Sequence, residues 1–241
     1  MRVLVWNENI HEREQPEVAA VYPKGIHGCI ADFLSSKDIY VTTATLDMPN
    51  QGLSEELLAE TDVLVWWGHR AHDAVTEENI EALCRHIHGG MGLVALHSAH
   101  HSKLFRRLMG TSCNLKWRHG DRERIWCAMP SHPIAKGIPE HFELEREEMY
   151  GEPFDIPTPD ETVFLGWFAG GEVFRSGVTY RRGAGKIFYF QPGHEEYPVF
   201  FNKNIQQIIR NAVEWTCPVP HEHKAVICEH AAPLEEGVPF A

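Results

Sequence analysis

Residues 62–98 read DVLVWWGHRAHDAVTEENIEALCRHIHGGMGLVALHS, and the architecture is decided there. The stretch opens on the apolar run Val63–Trp67 and closes on Gly92-Leu93-Val94-Ala95-Leu96-His97. Short runs that are apolar at every position, not at every second one, suit strands buried on both faces. Between them Thr76 stands before Glu77-Glu78, as a helix cap does before an acidic first turn. Ile80, Leu83, Cys84 and Ile87 then recur at helical spacing, and Gly89-Gly90 ends the helix. Strand, helix, strand in this compass is a βαβ crossover, which makes the two strands parallel.

The alternation continues outward. Residues 2–6 read as a buried strand, and a helix over about 25–36 presents Ile26, Ile30, Phe33 and Leu34 on one side. Residues 39–45 are rich in β-branched side chains and read as the second strand, Ser54 is placed to cap Glu55-Glu56-Leu57-Leu58, and a short helix is expected over about 102–109. The expected class is α/β, with a mostly parallel central sheet covered on both faces. Beyond Gly110 the periodicity weakens. Short strands fit 123–129, 162–168, 172–180 and 185–190, the last two joined as a hairpin, and a helix near 198–215 carries Ile205, Ile208, Ile209, Ala212 and Val213. Residues 1–216 read as one domain. Residues 217–241 form a Pro-rich, aperiodic tail expected to wrap the surface or a neighbouring subunit, so a homo-oligomer is anticipated.

A chain of 241 residues buries enough surface to fold without disulfides or structural metal. Its net charge of −12 and lack of any basic run argue against nucleic acid and anionic membrane as partners. No apolar stretch approaches the ~20 residues that span a bilayer, and MRVLVWNEN is too short for a secretory core, so a cytoplasmic protein is expected. Six cysteines without a CxxC pair read as free thiols. Gly89-Gly90-Met91-Gly92 precedes a strand instead of following one, and Gly183-Ala184-Gly185-Lys186 sits in a hairpin, so neither glycine pattern supports a nucleotide cofactor.

Histidine is the anomaly, with 16 in the chain. Ligands of open parallel sheets bind beyond the carboxyl ends of the strands. Four such ends run into imidazoles: His11 and His27 after the first strand, His69 and His72 after the third, His97, His100 and His101 after the fourth, and His194 after residues 185–190. Any one of them could simply bond backbone in a loop. Together they suggest a divalent-metal site, zinc first, with ligands from separate loops because no HExxH or HxH spacing exists. His100 and His101 are adjacent, so at least one is expected to be a bystander. Ala95-Leu96-His97-Ser98-Ala99 has the shape of a nucleophile elbow with His at its centre. Ser98 lies one position late and reads better as a helix cap than as a nucleophile, and Cys113 as packing.

Residues 147–154, EEMYGEPF, concentrate carboxylates and a tyrosine in what reads as a loop, and Trp66-Trp67 and Trp117-Arg118-His119 add flat aromatic faces. Carboxylates with aromatic planes suit a sugar, although a solvated acidic turn beside core aromatics has the same look. Trp6, Asn7, Arg118, Glu148, Tyr150 and Glu152 are the candidate substrate-binding residues.

The strings Trp66-Trp67-Gly68-His69-Arg70-Ala71-His72, Gly90-Met91-Gly92-Leu93-Val94-Ala95-Leu96-His97-Ser98, Glu148-Met149-Tyr150-Gly151-Glu152-Pro153-Phe154 and Phe188-Tyr189-Phe190-Gln191-Pro192-Gly193-His194-Glu195 resemble the trehalose-utilisation (ThuA-like) family over residues 1–216. The resemblance implies a flavodoxin-like three-layer sandwich of the class I glutamine amidotransferase-like superfamily. There a Cys holds the elbow, and a His with a Glu two residues on completes the triad. Here His194 and Glu196 resemble that pair, but His97 replaces the Cys, so glutamine hydrolysis through a thioester is not expected.

On these grounds the expected function is metal-dependent sugar catabolism on trehalose or a keto-disaccharide, by hydrolysis, elimination or isomerisation. His27, His69, His97 and His194 are the candidate metal ligands, and His97, His194 and Glu196 the candidate catalytic residues. Two other readings stay open: a non-catalytic sugar-binding or regulatory module on a degenerate amidotransferase fold, and a residual hydrolase using Ser98.

Overall fold

In the computed structural model, which describes residues 1–219, 228 and 230–232, the alternation resolves into one nine-stranded sheet. The elements in chain order are β1 (Arg2–Asn7), α1 (His11–Glu14), α2 (Pro16–Val21), α3 (Gly25–Leu34), β2 (Tyr40–Thr45), α4 (Glu55–Ala59), β3 (Val63–Trp67), α5 (Glu77–His88), β4 (Gly92–Leu96) and α6 (Lys103–Met109). They continue as β5 (Lys116–Cys127), β6 (His141–Gly151), β7 (Glu161–Phe168), β8 (Val173–Arg182), β9 (Gly185–Phe190) and α7 (Lys203–Thr216). Most of the expected tail over 217–241 lies outside the described residues.

The strand order is β2-β1-β3-β4-β9-β8-β7-β5-β6. Its first five strands are parallel, as the βαβ reading requires, and pairings from β9 through β8, β7 and β5 to β6 are antiparallel. Strand β9 is therefore the seam. Side chains alternate across it: Phe188 and Phe190 enter one core with α3 and α7, whereas Ile187 and Tyr189 enter the other with α4, α5 and α6. Each face of the parallel half thus has its own helical layer, giving the flavodoxin-like three-layer sandwich.

The expected caps form. Ser54 accepts from the Leu57 amide and Thr76 from the Asn79 amide, satisfying donors that a helix start leaves orphaned. Ser102, not Ser98, caps α6; Ser98 lies in a 3-10 turn over His97–His101. Two short helices, α1 and α2, fill a connection that has no helical periodicity to read. The last helix begins at Lys203, preceded by a 3-10 turn over Val199–Phe201.

The largest departure is β6. Residues 147–151 are strand, not loop, and Glu147 through Gly151 are all buried. A run containing two carboxylates reads as surface. Here it is buried because the antiparallel half folds beside the parallel strand ends, whose Gly193 and His194 amides and His97 ring face the two acids.

Candidate active site at the seam of the sheet

His69, His97 and His194 follow three adjacent parallel strands, β3, β4 and β9. Their ring centroids form a near-equilateral triangle: His69–His97 5.6 Å, His69–His194 5.5 Å and His97–His194 5.5 Å. The rings meet steeply, at 60°, 71° and 82°. Glu148 of β6 completes the group, and ligand atoms of all four residues lie within 4.8 Å of one another.

Each member is fixed from behind. His97 Nδ1 donates to the Gln191 carbonyl at 2.9 Å, which turns its Nε2 to the centre, 3.2 Å from Glu148 Oε2. His69 Nδ1 donates to Glu195 Oε1 at 3.1 Å. His11 Nε2 lies 3.1 Å from the same oxygen. A carboxylate or carbonyl behind an imidazole is how proteins orient a metal-binding ring. His194 differs: the Glu196 amide donates to its Nδ1 at 3.2 Å, and its Nε2 is buried with no partner among the described residues. In the neutral ring the proton then sits on Nε2, and a cation held there would take that proton's place while Nδ1 keeps the Glu196 amide.

His97 has φ 53, a left-handed conformation at the elbow that costs a non-glycine residue of order 1–3 kcal/mol. Tyr150 stacks on its ring at 5.1 Å and the Gln191 carbonyl anchors it, so its surroundings hold the strain. Gly193 makes the close approach possible. At φ +147, a Cβ there would stand 2.8 Å from Phe200 Cζ and 3.2 Å from His97 Cβ.

The electrostatics follow from burial among acids. Burial alone would lower His97, but the bond to Glu148 and the fields of Glu147, Glu148 and Glu195 outweigh it and raise its pKa to about 9. Burial would raise Glu148, and His97 overrides it, bringing that carboxyl to about 2. His194 falls to about 3, by burial first and by the neighbouring His97 second. Glu147, wholly buried, is pushed up to about 7 by desolvation despite accepting three backbone N–H groups, from Glu148, Gly193 and His194.

The sequence matches the family described as ThuA, trehalose utilisation, over residues 2–216. The chain belongs to the ThuA family. Among solved structures, proteins named as thua-like from Bacteroides uniformis and Parabacteroides merdae share the ThuA chain's fold, each with a TM-score of 0.65. Identities are 15% and 16%, over 90% and 89% of this chain and 91% and 88% of theirs. A Salmonella typhimurium protein named as cytoplasmic aligns at TM-score 0.58 and 10% identity, over 91% of this chain and 100% of its own. Curated proteins give no significant match. Among the described residues no helix is long and apolar enough to cross a membrane.

Not every sequence candidate reaches this ThuA site. His27 lies outside the group of four; its Nδ1 pairs with Asn7 Nδ2 at 3.1 Å, and Glu148 takes the fourth place. Asn7 is buried and spent on Glu12 and the Asn9 amide. Trp6 is a core residue, stacked on Trp66 at 3.8 Å. Arg118 is paired with Asp121 and Glu172, and Glu152 clamps Arg175 at 2.7 Å; neither lies in the group of four. The side chain of Glu196 is exposed, and the buried acid of the His194-Glu195-Glu196 string is Glu195. Sequence reasoning passed over Glu195, Glu147 and Gln191, although two of them stand in the motif Gln191-Pro192-Gly193-His194-Glu195.

Beside the group of four opens a cleft of about 340 Å³, whose walls include Tyr150, His72, His100, His101, Asn114 and Trp117. Both adjacent histidines thus face the cleft, and neither joins the group of four. His100 Nδ1 donates to the Cys113 carbonyl at 2.8 Å. Burial chiefly, and its histidine neighbours after it, bring His100 and His72 to about 3, so these walls are uncharged acceptors near neutrality. Among the described residues no Lys or Arg lines the cleft. A pH dependence follows. The unfolded chain protonates His100 near 6.5, but the fold refuses that proton until about 3. Its contribution is complete above 6.5 and drains away as pH falls towards 3. The thermal midpoint of metal-free protein is expected to fall between pH 7 and pH 4, and less steeply in His100→Asn. A midpoint independent of pH over that range would contradict the burial argument.

Proposed function

We propose that the protein is a cytoplasmic, metal-dependent enzyme of sugar catabolism, acting on trehalose or a keto-disaccharide derived from it by hydrolysis, elimination or isomerisation. The family description supplies the sugar. The observation that carries the metal is the convergence of His69, His97, His194 and Glu148 around a buried, unpartnered His194 Nε2. A nitrogen-rich set with one carboxylate suits zinc. Once bound, such an ion polarises a carbonyl or hydroxyl, or lowers the pKa of water.

The rest is the work of the chain's own residues. Glu148 would serve the ion as the one carboxylate of the set, and Glu195, which accepts from His69 Nδ1, orients that ring from behind. Tyr150 Oη, 3.4 Å from His97 Nε2, is placed to donate to a sugar oxygen at the same point. The neutral rings of His72 and His100 accept from hydroxyls, and Trp117, 60% exposed at the cleft, offers a flat face to the apolar side of a pyranose. Wild-type protein purified without added metal is expected to hold a divalent ion that is lost in His97→Ala, and to turn over trehalose or its keto derivative. Metal content unchanged by His97→Ala would remove the metal reading. Sugar-dependent thermal stabilisation without turnover would favour the binding-module reading instead.

A further inference from the structure

Behind the candidate centre runs a chain of polar groups that the proposed chemistry does not use. Glu123 of β5 is fully buried; its Oε1 lies 3.3 Å from Ser176 Oγ, and its Oε2 has no partner among the described residues. Strand β7 leaves room for it at Gly166, where a Cβ would stand 2.5 Å from Glu123 Oε1. Ser176 Oγ lies 3.2 Å from Gln191 Oε1. Gln191 Nε2 donates to the Glu148 carbonyl at 3.0 Å, and its own carbonyl takes the His97 Nδ1 proton at 2.9 Å. One glutamine therefore anchors two of the four converging residues.

Donor accounting fixes the direction of the chain. The Gln191 amide cannot be turned over, because Nε2 is needed at the Glu148 carbonyl, so Oε1 faces Ser176 and only accepts. The single hydroxyl proton of Ser176 is spent there. Its oxygen can then only accept from Glu123, which a carboxyl does when neutral. Burial and the nearby Glu147 push Glu123 well up.

We propose that Glu123 is a positioning residue that donates through Ser176 to Gln191 and so holds His97 and Glu148 in register for the cation. This inference rests on the metal reading above, but its geometry is testable without metal. In full-length protein, Glu123→Gln keeps a donor of the same shape, Glu123→Met keeps the volume without the donor, and Ser176→Ala cuts the chain in its middle. Zinc affinity, measured by competition with a chromogenic chelator, is expected to drop about 10–100-fold in Glu123→Met and Ser176→Ala and to stay within about 3-fold of wild type in Glu123→Gln. In metal-free protein the slowly exchanging His97 Nδ1–H resonance should persist in wild type and Glu123→Gln and be lost in the other two. Wild type that takes up no zinc would sink the metal reading alone, leaving the resonance to decide. A resonance unchanged in Glu123→Met overturns the proposal, and so does Glu123→Gln as defective as Glu123→Met, because charge and not donation would then be the requirement.

Discussion

Alanine at position 194 is expected to weaken divalent-metal binding by at least about 100-fold, since losing a mere outer partner of a ligand already costs about 10–100-fold. The informative comparison is with the two acids that follow it. Glu195 holds His69 at 3.1 Å and lies 3.1 Å from His11, so Glu195→Gln should loosen the metal by about 10–100-fold. The exposed carboxylate of Glu196 contributes only its backbone amide, so Glu196→Gln should change little. Chelator competition and turnover measured on the three variants give the ranking. If Glu196→Gln were the damaging change and Glu195→Gln silent, the triad-like reading of His194 and Glu196 would be right and the geometry described here wrong.

The second large effect is on stability. Trp67 ends β3, is wholly buried, and its indole nitrogen donates to the Gly193 carbonyl at 2.9 Å. Truncation to alanine removes a large ring from a close-packed core and should cost about 3–5 kcal/mol. The freed Gly193 carbonyl adds the penalty of an unpaired buried acceptor. Since Gly193 precedes His194 and leaves no room for a Cβ beside His97, the same change should also lower metal affinity in the protein that remains folded. Denaturant titration and metal competition on Trp67→Ala, beside Trp67→Phe, check both. Phenylalanine restores most of the volume and none of the hydrogen bond, so stability should recover more than affinity does.

Much of this was legible in residues 62–98 because local and global signals agree there: apolar runs, a capped amphipathic helix and imidazoles at the strand ends all describe one βαβ unit. The triad His69, His97 and His194 was reachable by topology alone, since each follows a parallel strand. Glu148 was visible as a carboxylate but not as a neighbour of His97, because β6 reaches the site only through antiparallel pairing with β5 at the far edge of the sheet. Nothing in a run such as Glu147-Glu148-Met149-Tyr150 announces that its acids are buried. His27 and Asn7 show the converse: they sit at the proper strand end, yet His27 lies outside the group of four and Asn7 is bonded to Glu12, the Asn9 amide and His27.

The strand order has a consequence for how such a chain is made. Strand β9, the last strand among the described residues to leave the ribosome, is the one that closes the open flank of β4. Until residue 190 has emerged, β4 offers an unpaired apolar border of the kind that recruits stray strands. Slow translation or a short supply of chaperones should therefore harm this protein through aggregation of nascent chains, before any question of its chemistry arises.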